Sequence, residues 1–87
     1  MLMKTVFART AEKALDKTPT KVGDTILDRL DAIAANPFAQ HRNVTAMKGE
    51  KDAFRLRVGA WRVVYRLDRA ADTLIVELIG PRGGVYQ

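Results

Sequence analysis

Eighty-seven residues, 47% of them apolar and 29% charged with both signs mixed, fit one globular domain around one small core and exclude a disordered tail. With no cysteine, no serine and a single histidine, the chain excludes disulfides, thiolate and serine nucleophiles, and multi-histidine metal sites. The net charge of +5 is uneven: residues 1–41 carry six basic and five acidic side chains, residues 42–87 nine and five. That excess fits a polyanionic partner as readily as an ordinary basic surface.

Residues 2–8, LMKTVFA, read as a first strand, because Val6 and Phe7 favour extended backbone and no breaker intervenes. Thr10 is placed to cap a short helix, AEKALDK, with Glu12 in its first turn and an apolar stripe of Ala11, Ala14 and Leu15. Thr18-Pro19 restarts the chain, and a second helix is expected to run to Ala35 and stop at Asn36-Pro37. Val22, Ile26, Leu30 and Ile33 recur at three- and four-residue steps and form its buried face. Asp24, Asp28 and Asp31 lie on another side, where a solvated face is expected and not a metal site. The two helices are expected to form an antiparallel hairpin over a sheet.

Residues 36–52 read as a polar connection, and His41 within it as an exposed loop histidine. Three strands follow, at residues 53–58, 61–68 and 73–79. Gly59-Ala60 fits a two-residue type II′ turn, and RAAD makes the next one. The fold class is therefore α+β, in the order β-α-α-β-β-β, with a helix hairpin on a small, mainly antiparallel sheet. The longest apolar run, TLIVELIG, is too short to cross a membrane, and MLMKTVF lacks the plan of a signal peptide. A cytoplasmic protein without membrane contact is expected.

The hairpin FRLRVGAWRVVYR fixes a register. If Gly59 and Ala60 are the loop, Val58 faces Trp61, Arg57 faces Arg62, Leu56 faces Val63 and Arg55 faces Val64. Side chains alternate, so Phe54, Leu56, Val58, Trp61, Val63, Tyr65 and Leu67 share the core face. Arg55, Arg57, Arg62 and Arg66 share the other. Like charges directly across a strand pair repel, by about 1 kcal/mol in water at ~5 Å separation. An anion held between them reverses that sign, so the cluster is expected to hold phosphate. Glu77 is expected opposite Val64 on the same face, where one carboxylate cannot offset four arginines.

These elements, the block FRLRVGAWRVVYRLD, the strand LIVELIG and the terminal RGGVY resemble the RelE/ParE toxin superfamily of bacterial toxin–antitoxin systems, over nearly the whole chain. RelE-type members are ribosome-dependent endoribonucleases that cut mRNA in the decoding site; ParE-type members share the fold and poison DNA gyrase. The resemblance implies a toxin neutralised by a cognate antitoxin, needing no metal and no cofactor. The RelE pattern places Arg57, Arg62, Arg82 and Tyr86 as catalytic residues. Arg55, Arg66, Lys48 and Lys51 are expected to bind RNA. Tyr86 favours the RelE type, since ParE-type chains generally lack a closing tyrosine. The chain departs from the pattern at Arg55 and Arg57, where lysines are common, and at Pro81, where His or Lys often precedes the last arginine.

Overall fold

The structure, a computed structural model, describes residues 2–81. The order is β1 (Lys4–Phe7), α1 (Arg9–Lys17), α2 (Thr20–Ala35), β2 (Val44–Ala46), β3 (Ala53–Val58), β4 (Trp61–Asp68) and β5 (Thr73–Pro81). The five strands form one sheet in the order β1-β5-β4-β3-β2. β1 runs parallel to β5, and every other pairing is antiparallel. The helices cover one face, as the α+β expectation requires.

Three local features differ from the expectations. α1 begins at Arg9, and no side chain caps it. The Ala8 N–H is held by the Val76 carbonyl at 2.8 Å, so the chain leaves the sheet there and turns at once into the helix, leaving Thr10 inside its first turn. Pro19 occupies the cap position of α2 and not its first turn, while Thr18 closes α1 by donating its hydroxyl to the Ala14 carbonyl at 2.8 Å. The polar connection contains a strand, β2, which adds an edge to the sheet by pairing with β3.

The hairpin has the expected register, with Arg57 opposite Arg62 and Arg55 opposite Val64. Gly59 takes φ +57°, a conformation that suits a residue without Cβ at the first position of this turn. Leu56, Val63, Tyr65 and Leu67 are buried, and Phe54, Val58 and Trp61 pack against them. From the helices come Ala11, Ile26, Leu30 and Ile33, all buried; from β5 come Leu74, Val76 and Ile79. Each large aliphatic side chain so buried contributes about 1.5–3 kcal/mol.

Tyr65 is 1% exposed, and its ring stacks on that of Phe54 with centroids 5.4 Å apart. Burial pushes the phenol up to about 12 from its ordinary 10. The folded state therefore keeps the phenol neutral after the unfolded chain has begun to ionise. Stability is unaffected below pH 10 and falls as pH rises from 10 towards 12, by about 2–3 kcal/mol in all. Urea unfolding of the wild type and Tyr65→Phe at stepped pH measures this. The wild type is expected to lose stability relative to the variant only above pH 10, and parallel curves would contradict it.

Candidate nucleic-acid interface

The outer face of the sheet carries the arginines. β3 contributes Arg55 and Arg57, both exposed, and β4 contributes Arg62 and Arg66. Arg55, Arg57 and Arg62 line a cleft of about 330 Å³ together with Asn43 and Thr45 of the β2 edge. An adjoining hollow of about 450 Å³ is lined by Arg55, Arg62, Met47, Val64, Leu78 and Glu77. Among the described residues neither Arg55 nor Arg57 is in an ion pair. Burial and then the charge of Arg55 lower the Arg62 guanidinium from its ordinary value. A concentration of positive charge along a cleft is what a phosphate backbone needs.

Arg66 shares the face but has other partners. Its Nε donates to Glu77 Oε2 at 3.1 Å, Nη2 to Glu50 Oε1 at 3.0 Å and Nη1 to the Lys51 carbonyl at 3.0 Å. The hydrogen bond to Glu50, and then that to Glu77, raise its pKa. Arg66 therefore ties the turn between β2 and β3 to the sheet. Arg69 acts alongside it: both its Nε and Nη2 donate to Asp52, and its guanidinium lies 4.3 Å from the centroid of the Phe38 ring. That bidentate bond holds the Asp52 carboxyl below its usual range.

Glu77 does lie on the arginine face, but not opposite Val64. Val64 pairs with Leu78 and Tyr65 with Val76, so Glu77 is the extra residue of a β-bulge. The bulge re-aims the carboxylate towards Arg66 and leaves the other three arginines as a group. Lys48 and Lys51 are exposed on the turn, and Lys51 lines a separate hollow with Asp52, Arg66 and Arg69. The structure does not bring either lysine to the walls of the arginine cleft. His41 is half-buried in its loop, its Nε2 2.8 Å from the Asn36 carbonyl. Arg82 and Tyr86 lie outside the described residues. Among those described, no group of three or more His, Asp or Glu could hold a metal ion. Among the described residues no helix is long and apolar enough to cross a membrane.

Asn43 and Thr45 were not among the residues that sequence pattern singled out. The signal for them is faint: a β-branched pair, Val44-Thr45, between Asn43 and Gly49, both residue types that tolerate left-handed backbone.

The family model for the ParE toxin of type II toxin–antitoxin systems, parDE, matches residues 5–86. The chain belongs to the ParE toxin family of type II toxin–antitoxin systems. Solved structures have the same fold as this toxin. A chain of the archaeal RelE–RelB complex from Pyrococcus horikoshii superposes with a TM-score of 0.81 at 23% identity, covering 98% of this chain and 100% of that one. A mutant E. coli toxin RelE in the free state superposes at 0.84 with 18% identity, over 98% of this chain and 88% of that one. The YoeB/ParE toxin from Agrobacterium tumefaciens superposes at 0.77 with 21% identity, over 92% and 99%. No curated protein sequence matches the toxin.

Proposed function

We propose that the toxin is a metal-independent endoribonuclease that cuts mRNA in the ribosomal decoding site and so stops translation in the cytoplasm. The observation that carries this reading is the cleft of Arg55, Arg57 and Arg62, three guanidinium groups grouped on the outer face of the sheet. Cleavage without a metal uses the neighbouring ribose 2′-OH as nucleophile. Its oxygen bonds to phosphorus, the 5′-oxygen leaves, and the hydroxyl proton must be removed while the leaving oxygen gains one. Arginines stabilise the charge that accumulates on the phosphate. They cannot carry the proton, because a guanidinium keeps its own at pKa above about 12. Tyr65 is disqualified too, since it is buried in the core with a raised pKa of about 12. Tyr86 is the proposed proton carrier, with Arg82, four residues before it, as a further stabiliser. So sparse a set of proton carriers suits an enzyme that takes its in-line geometry from the ribosome.

A type II toxin needs its antitoxin, and several solved structures that share this fold are complexes with RelB antitoxins. The proposed partner is a segment that folds across this domain and brings acidic and apolar side chains.

The second reading is a ParE-like inhibitor of DNA gyrase that cleaves nothing. It is favoured by the family model that matches, which is the ParE toxin's. An RNA-cleavage assay with and without ribosomes separates the two. Cleavage only with ribosomes is expected, while inhibited gyrase with intact mRNA would establish the second reading. Binding to single-stranded RNA should weaken with salt at a slope of about −2 in log K against log concentration, for three phosphate contacts. A flat dependence would point to a protein target.

A further inference from the structure

The three cleft arginines can only donate hydrogen bonds. Phosphate oxygens can only accept them, so the two sets match. A ribose hydroxyl next to a held phosphate also has a proton to donate, and the arginines cannot receive it. Two side chains of the cleft wall can: Asn43, through its amide oxygen, and Thr45, through its hydroxyl.

Both are fixed in place by the β2 edge. Thr45 is the direct partner of Arg55 across the strand pair, so their side chains rise on the same face. The Arg57 N–H donates to the Asn43 carbonyl at 2.9 Å, which sets Asn43 beside Arg57 at the next step of the ladder. Asn43, the residue before β2, therefore stands in one row with Arg57 and Arg62, at about 5 Å per strand. Thr45, Arg55 and Val64 form the next. Asn43 holds φ +62°, a left-handed conformation in which glycine is the relaxed residue. Asparagine also tolerates that conformation, and its side chain lines the cleft. Among the described residues neither the Asn43 amide nor the Thr45 hydroxyl is committed to a hydrogen bond within the protein.

We propose that Asn43 and Thr45 read the ribose 2′-hydroxyl beside the phosphate held by the arginines, so that the cleft selects RNA over DNA of the same sequence. The inference rests on the nucleic-acid reading of the cleft and adds the sugar to it. A 2′-OH is what distinguishes the two polymers at such a site. The arginines supply affinity common to both, and the edge strand supplies the discrimination.

The test is equilibrium binding of the full chain to three labelled single strands of one sequence: RNA, DNA and 2′-fluoro RNA. The fluoro strand keeps an RNA-like sugar but has no proton to donate. Wild type is expected to bind RNA about fivefold more tightly than either other strand, the factor of a neutral hydrogen bond. Asn43→Gly removes the side chain while relaxing the backbone, and Thr45→Val removes the hydroxyl while keeping the branched β-carbon. Together they should bring the three affinities within about twofold, with DNA affinity and salt slope unchanged. Equal binding of RNA and 2′-fluoro RNA by wild type, or discrimination that persists in the double variant, overturns the proposal. If all three strands still bind with a steep salt slope, the phosphate cleft survives that result. If none binds, the nucleic-acid reading fails, and this inference with it.

Discussion

Arg57→Ala is expected to abolish toxicity in cells while leaving the protein folded. Arg57 is exposed, makes no ion pair among the described residues, and sits between Asn43 and Arg62 at the centre of the cleft. Losing a charged hydrogen bond to phosphate costs about 1.5–3 kcal/mol of binding, or roughly ten- to a hundredfold. Stability should move the other way. Arg57 faces Arg62 directly, and removing one of two facing like charges relieves up to about 1 kcal/mol of repulsion at this exposure. Reduced RNA affinity with an unchanged or raised melting temperature is the expected pair of results. A variant that is fully toxic and well folded would remove Arg57 from the site.

The second large effect concerns the core. Ile26→Ala is expected to destabilise the domain by about 3 kcal/mol, because Ile26 is fully buried where α2 packs on the sheet. A domain of this length has about 4–13 kcal/mol in total, so the loss is a large share. The melting temperature should fall by about 12–24 °C. Leu27→Ala, one residue along the helix at a position 37% exposed, should cost less than about 1 kcal/mol. Equal losses at the two sites would mean that α2 presents a different face to the sheet. Antitoxin binding, which acts on the folded state alone, should restore much of the lost melting temperature in the Ile26 variant.

The hairpin was readable in advance because its register depends on two residues, Gly59 and Ala60, and on strict alternation from there. The α2 face was readable for the same reason, a single short period. What escaped was set by groups far apart in sequence. Glu77 moved off its expected partner because a bulge opens between Val64 and Tyr65, and nothing local to that stretch marks it. Arg66 looked equivalent to its neighbours by parity, yet it is tied to Glu50, sixteen positions away on another turn. β2 was hidden because three residues are too few to show a period, and Asn43 before it reads as loop. With β2 went the two neutral members of the cleft. The family pattern consists of the arginines and the chain's end, and the edge strand has no part in it.

The parallel pairing of β1 with β5 bears on when this protein becomes dangerous during its own synthesis. β1 is the first strand made, but among the described residues its one strand neighbour is β5, the last of the five to be made. β4, the wall that carries Arg62, likewise has one of its two neighbours in β5. Helices and hairpin can form as they emerge, but the sheet cannot close around its core until the final strand is out. A partly translated chain therefore lacks the closed sheet, and this toxin completes the wall that carries Arg62 only once β5 has been made.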